Sequence, residues 1–227
     1  MNVGLLTIAT GKYIKFISPL WESAKKHFLT NHNVTMFVFT DSLDFIPGKN
    51  QVKIFQKHIP WPGPTLFRYN IFDLNKDKFS EMDYLFYCDA DMLFVDSVGD
   101  EVLGELVATE HPGFFDKQRN YFSYETNSKS KAFVKPEEGK KYFAGGFNGG
   151  TKASYLKMAK VLSDRILEDK KNGIIAVWHD ESHMNRYFID NEPTVVLDPS
   201  YCYPESWEIP FSKKLLALDK NHEEMRK

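Results

Sequence analysis

Cysteine is scarce in this sequence: Cys88 and Cys202 are the only two among 227 residues. So few exclude a disulfide-built scaffold. Cys88 lies inside an apolar run and reads as a small buried hydrophobe, so a reducing compartment is the default expectation. Surplus charge is also missing. With 29 basic against 31 acidic residues and a net charge of −2, the chain lacks the cations that displace counterions from nucleic acid, which excludes a general nucleic-acid binder. No apolar run nears the roughly 20 residues of a membrane span, and the first residues lack the basic-then-apolar layout of a secretory leader. A soluble, cytoplasmic protein is expected. Repeats, low-complexity tracts and linkers are absent, so residues 1–227 are expected to form one domain around one substantial core.

What is present is an alternation of strand and helix signals. Residues 3–8 read as a strand, followed by a turn at Thr10-Gly11-Lys12. Over residues 18–29, Leu20, Ala24, His27 and Phe28 recur at helical spacing, with Ser18 as the expected N-cap and Pro19 in the first turn. Residues 34–39 and 52–55 are further strands. A Pro-rich bend from Pro60 to Pro64 then leads into a helix over 66–74 that carries Arg68. This order closes into an α/β fold with a mostly parallel sheet flanked by helices, and ligands of such sheets sit beyond the strands' carboxyl ends. The second half holds a polar stretch over 115–141, a Gly cluster, a helix near 153–170 and a basic tail from Lys213. Trp21, Trp61, Trp178 and Trp207 are spread along the chain, suited either to the core or to the faces of sugars.

Three segments carry chemistry. The strand-like Tyr84-Leu85-Phe86-Tyr87-Cys88 delivers Asp89 and Asp91 one residue apart before apolar character resumes at Met92. Two carboxylates beside so much apolar surface call for a positive partner, and a hard, oxygen-seeking Mn²⁺ or Mg²⁺ is the natural one. Such ions keep waters and borrow ligands from phosphate, so a site with two protein acids points to a phosphorylated substrate; a turn with two solvated Asp residues is the alternative. Second, Ala144-Gly145-Gly146-Phe147-Asn148-Gly149-Gly150 implies backbone torsions reserved for Gly, close approach to a ligand, or a glycine turn ahead of the next helix. No Gly-Lys-Ser/Thr follows, which excludes a P-loop. Third, Trp178-His179-Asp180-Glu181-Ser182-His183 packs a ring, two imidazoles and two carboxylates together, with Asp180 or Ser182 near a helix cap. His179 and His183 are four apart, but Asp180 stands where a zinc protease motif needs Glu, so zinc is not expected.

These segments resemble glycosyltransferase family 6, the family of the blood-group A and B transferases and the α-1,3-galactosyltransferases. The likeness is carried by Val38-Phe39-Thr40-Asp41, Asp83-Tyr84-Leu85 with Asp89-Ala90-Asp91, His111-Pro112-Gly113-Phe114, Phe122-Ser123-Tyr124-Glu125, Gly145-Gly146-Phe147 with Gly149-Gly150, Ala176 through His183, and Lys220-Asn221-His222. They run in family order from near residue 10 to the C-terminus.

The resemblance implies a GT-A fold and retaining α-1,3 transfer from a UDP-sugar to a galactoside. Asp89 and Asp91 would bind Mn²⁺, with Mg²⁺ as the substitute; some bacterial relatives carry Asn-x-Asn and work without metal, whereas this chain keeps both acids. The donor would meet Ile8, Thr10 and Tyr13 at uridine, Arg68, His179 and Asp180 at the sugar, Ala90 beside the acid pair, and Lys220 and Arg226 at the phosphates. Ala144, Gly145 and Gly146 would line a pocket roomy enough for a 2-acetamido group, which favours UDP-GalNAc over UDP-Gal. Glu181 would serve beneath the anomeric carbon, as nucleophile or as a charge that steadies an oxocarbenium-like centre. His111, Ser123, Trp178 and Glu181 would hold the acceptor, and a tail over about 212–227 would be mobile and close over the donor. Ser123 stands where the family usually has Thr. The segment from Cys202 to Trp207 departs from the family's acidic acceptor loop, so a fucosylated acceptor is not implied. Two rivals are a haloacid dehalogenase-like phosphatase, whose acid pair normally lies near the N-terminus, and a non-catalytic sugar-binding protein.

Overall fold

The computed structural model describes residues 1–225. Buried β-branched and aromatic runs become strands, and amphipathic stretches between them become helices. In chain order they are β1 (Asn2–Ile8), a 3₁₀ segment (Gly11–Phe16), α1 (Ile17–His27), β2 (Asn33–Thr40), β3 (Gln51–Phe55), α2 (Gly63–Leu66) and α3 (Arg68–Leu74). Next come β4 (Tyr84–Cys88), β5 (Met92–Phe94), β6 (Leu106–Glu110), β7 (Phe143–Thr151), α4 (Lys152–Lys171), α5 (His179–Asp190), β8 (Val195–Leu197), β9 (Tyr203–Pro204), β10 (Leu215–Ala217) and α6 (His222–Met225).

Seven strands form the main sheet in the order β3-β2-β1-β4-β7-β6-β8, and only β7 runs antiparallel to its neighbours. This is the mostly parallel α/β sheet flanked by helices that a GT-A fold requires. Successive side chains of β1 enter opposite layers: Val3 and Leu5 pack with α1, Phe86 and Phe147, whereas Leu6 and Ile8 pack with Tyr69, Phe72 and Leu162 of α3 and α4. Cys88 is wholly buried in the α1 layer, as a small hydrophobe would be. Among the described residues no helix is long and apolar enough to cross a membrane.

The chain leaves the main sheet at Asp89-Ala90-Asp91. β5 pairs with β10 in a separate three-stranded sheet, so the two acids mark the crossover between sheets. The crossover is pinned on both sides, by Asp89 N–H on Gly146 O (2.9 Å) and by Leu218 N–H on Asp91 O (2.9 Å).

Two expectations change. Ser18 is not an N-cap, because the chain is already helical from Gly11 and α1 begins at Ile17 without a side-chain cap. The Gly cluster is not a turn but a central strand. Its pairing with β6 jumps from Ala108 opposite Asn148 to Thr109 opposite Ala144, which leaves residues 145–147 bulged out of that ladder. Gly149 serves packing: a Cβ there would stand 2.2 Å from Phe86 Cδ1 and 2.8 Å from the Leu85 carbonyl oxygen. Gly149→Ala is therefore expected to destabilise the fold by about 1–3 kcal/mol, read as a lower urea midpoint. An unchanged midpoint would show that the Phe86 ring can vacate the space.

Candidate active site

Where β1 and β4 end, a cavity of about 330 Å³ opens. Ile8, Thr10 and Tyr13 form one wall; His58, Trp61, Pro64, Thr65 and Arg68 form the next. Tyr87, Asp89, Ala90 and Asp91 come from the crossover, Gly145 and Gly146 from the β7 bulge, Trp178, His179, Asp180 and Glu181 from the start of α5, and Lys220, His222 and Met225 from the tail. The site thus lies at the carboxyl ends of parallel strands, as the topology requires.

Arg68, 4% exposed, joins these walls. Its Nη1 donates to Gly145 O at 2.6 Å, its Nε lies 3.1 Å from Asp180 Oδ2, its Nη2 lies 3.5 Å from Asp89 Oδ1, and its guanidinium sits 4.0 Å over the Tyr87 ring. Burial pulls the Arg68 pKa down, but Asp180, Tyr87 and Asp89 outweigh it and hold the group firmly charged. Asp180 Oδ2 thus pairs with Arg68 Nε, and backbone N–H groups of Asp180 and Glu181 also favour the charged form of this buried carboxylate. Burial raises Asp180 to about 6, with Arg68 opposing.

Glu181 is held by the bulge. Gly145, freed from the β6 ladder, donates its N–H to Glu181 Oε2 at 2.8 Å, and Tyr142 donates its hydroxyl to Oε1 at 3.0 Å. Burial raises the carboxyl to about 7, while these two donors pull it back. His179, first in α5, adopts φ of +53°, a conformation uncommon outside Gly, and meets Trp61 edge-on at 5.4 Å.

Asp89 and Asp91 fit a hard cation. Tyr87 donates to Asp89 Oδ1 at 2.5 Å, so that acid keeps its second oxygen for a ligand, while Lys220 places its ammonium on Asp91 Oδ2. Positive groups thus already stand at both acids, Arg68 at Asp89 and Lys220 at Asp91. Among the described residues no cluster of three or more Asp, Glu, His or Cys completes a cage, so phosphate and water would supply the other ligands, a pattern typical of Mg²⁺ and Mn²⁺. His179 and His183 do not converge: His183 is wholly buried, 3.6 Å from Asp169.

The structure brings together every expected donor residue except two. Ala144 is buried in β7, where it pairs with Thr109, and does not line the cavity. Arg226 lies outside the described residues. The tail is seated through β10 and α6, with Met225 buried and Lys12 Nζ donating to Glu224 O at 2.9 Å.

Of the expected acceptor residues, Trp178 and Glu181 line the cavity; His111 and Ser123 do not. His111 packs on Tyr142 at 5.7 Å, and Ser123 lies between Phe122 and Tyr124, which pack on Tyr142 at 6.3 and 5.2 Å. Both therefore gather around the tyrosine that reaches Glu181. Burial lowers His111 to about 4 and keeps it neutral; Nδ1 accepts from Gly113 N–H at 3.0 Å, so Nε2 carries the proton.

Sequence reasoning missed His58, Trp61, Thr65, Tyr87 and His222. The Pro-rich bend and the Lys220-Asn221-His222 landmark were usable signals for Trp61 and His222. Tyr87 had none, since inward and outward strand residues look alike in a doubly buried strand.

The glycosyltransferase family 6 model matches residues 1–227. The chain is 36% identical to the histo-blood group ABO system transferase 1 of Rattus norvegicus, over 99% of this chain and 68% of that protein. It is 35% identical to the globoside alpha-1,3-N-acetylgalactosaminyltransferase 1 of Gallus gallus, over 100% of this chain and 69% of that one. Similarity to the O-antigen biosynthesis glycosyltransferase WbnI of Escherichia coli is 27% identity, covering 98% and 97%.

Carbon-13 NMR of the Glu181 carboxyl should give a midpoint near 7 rather than the ordinary 4.5. Tyr142→Phe removes a donor to the charged form and should move that midpoint upward. A midpoint at the ordinary value would mean that water in the cavity cancels the cost of burial.

Proposed function

Because this chain belongs to glycosyltransferase family 6, we propose that it moves GalNAc, or less readily galactose, from a UDP-sugar to the 3-hydroxyl of a β-galactoside, in α linkage and with retention. The observation that carries this reading is one cavity holding an acid pair suited to a hard cation, a buried carboxylate paired with Arg68, and Glu181 held by two donors.

A nucleoside diphosphate is a good leaving group, with a last phosphate pKa of order 6, so departure does not need the protonating acid of a glycosidase. Asp89 and Asp91 would hold Mn²⁺ or Mg²⁺, which when bound draws charge off the diphosphate. Lys220, already at Asp91, would add its charge to the phosphates, joined by Arg226 from beyond the described residues. The seated tail, with Lys220, His222 and Met225 on the cavity wall, would cover the donor and exclude water that hydrolyses it.

On the sugar, Asp180, which lines the cavity, would accept from a hydroxyl while Arg68 keeps that acid ionised. Gly145 and Gly146 leave room: a Cβ at Gly145 would stand 3.4 Å from Glu181 Oε2, and one at Gly146 would stand 3.3 Å from Asp89 Oδ2. That space supports GalNAc as the preferred unit, and the argument rests on these two glycines rather than on Ala144. Glu181, fixed by Gly145 and Tyr142, would present its charge to the anomeric carbon, either bonding to it or steadying it. Trp178 and the Nε2–H of His111 would address the acceptor.

Chelator should abolish UDP release and added Mn²⁺ should restore it; full rate in chelator would remove the metal from the reading. Glu181→Gln should lower transfer by at least 10²-fold with UDP affinity nearly intact, and unchanged turnover would exclude Glu181 from the chemistry. A donor panel should favour UDP-GalNAc, and markedly faster use of UDP-Gal would overturn the pocket argument. Sugar binding with no UDP release would favour the non-catalytic alternative, and phosphate release from simple phosphoesters the phosphatase.

A further inference from the structure

Around the β7 bulge, backbone groups that no ladder serves are paired instead by buried side chains. Thr109 donates its hydroxyl to Phe147 O at 2.8 Å, and Asn148 donates its amide to Gly145 O at 3.2 Å. The third such side chain is Asn185 of α5, 1% exposed. Its Oδ1 accepts from Phe143 N–H at 2.8 Å, while its Nδ2 donates to Phe143 O at 2.9 Å and to Glu181 O at 3.0 Å. The surroundings offer one N–H and two carbonyls, so one orientation of the amide satisfies all three.

The ladders explain why an amide is needed there. Tyr142 O accepts from His111 N–H, and the next residue, Phe143, stands opposite Glu110, so the peptide groups of Phe143 alternate away from β6. On the other side β4 stops at Cys88, opposite Phe147, where the chain turns off through Asp89 and Asp91 into the second sheet. Phe143 therefore faces a gap that a strand has left. Asn185 fills it, supplying the donor and the acceptor of one missing peptide. The consequence reaches the reacting centre. Phe143 precedes by two residues Gly145, whose N–H holds Glu181 Oε2, and the same amide grips the Glu181 backbone. A single side chain thus ties together the strand and the helix that meet in the Gly145–Glu181 hydrogen bond.

We propose that Asn185 is a positioning residue for the transfer: by bridging the Phe143 peptide and the Glu181 carbonyl, it sets how the β7 bulge meets the carboxylate beneath the anomeric carbon. It does not line the cavity and so acts through Glu181. The assignment rests on the transferase reading above and adds to it how that carboxylate is aimed.

The experiment compares the wild type with Asn185→Leu, which keeps bulk without the amide, and Asn185→Ser, which keeps a hydroxyl able to bond back to the Glu181 carbonyl but too short to span both Phe143 groups. Melting temperature reports folding, and Asn185→Ser decides the matter where Asn185→Leu does not fold. In the folded variants kcat should fall roughly 10- to 10²-fold, with donor KM and UDP affinity within about twofold of wild type, because the groups that hold the nucleotide are untouched. Carbon-13 NMR should show the Glu181 midpoint moving upward as Gly145 N–H loosens from the charged form. A kcat within about threefold of wild type overturns the proposal. So does a loss of kcat matched by an equal loss of UDP binding with the Glu181 midpoint unmoved, since that leaves Asn185 a part of the fold alone. No transfer to any galactoside by the wild type overturns the transferase reading, while the Glu181 midpoint in the variants still decides whether Asn185 positions that carboxylate.

Discussion

A buried guanidinium holds this site together. Arg68 cannot stay charged inside the protein without partners, because an unpaired buried cation costs several kcal/mol. Its partners come from three elements remote in sequence: Asp89 after β4, the Gly145 carbonyl in β7 and Asp180 in α5. Each would be poorly satisfied alone. Together they fix how the strand ends and the helix start approach one another, and so where the cavity lies.

The bulge in β7 is the second constraint. A regular ladder would commit the Gly145 peptide to β6; three bulged residues release its N–H to Glu181 and its carbonyl to Arg68. A side chain at Gly145 would crowd Arg68 and Glu181, and one at Gly146 would crowd Cys202 and Asp89, so the bulge is built from residues that leave these groups their places. The acids then divide by environment. Glu181 and Asp180 are raised by burial, to about 7 and about 6, whereas Asp89 meets Tyr87 and Arg68 and the buried Asp91 meets Lys220. In the proposed reaction two acids would address a cation and two a sugar.

Much of this was legible in advance. Alternating runs such as Val3-Gly4-Leu5-Leu6 identified the parallel strands, and Asp-x-Asp after an apolar run identified a strand end. Nearly all the expected donor residues then line one cavity, many of them at a strand end or helix start where local sequence is distinctive. His111 and Ser123 were read as acceptor residues, yet they lie off the cavity around Tyr142. A tyrosine's contacts cannot be read from the tyrosine. Ser18 resembled an N-cap only because sequence does not reveal that the preceding 3₁₀ segment has already started the helix.

By itself the sequence determined the strand and helix types, the acids that would meet a cation, and the family, since these depend on residues near one another or on motifs in order. Only the tertiary structure decided that the Gly cluster is a bulged central strand, that Tyr142 reaches Glu181, and that Lys220 returns to Asp91 across more than half the chain. The reason is physical: a hydrogen bond or ion pair between distant segments depends on how whole layers pack, and no local pattern of residues encodes that distance.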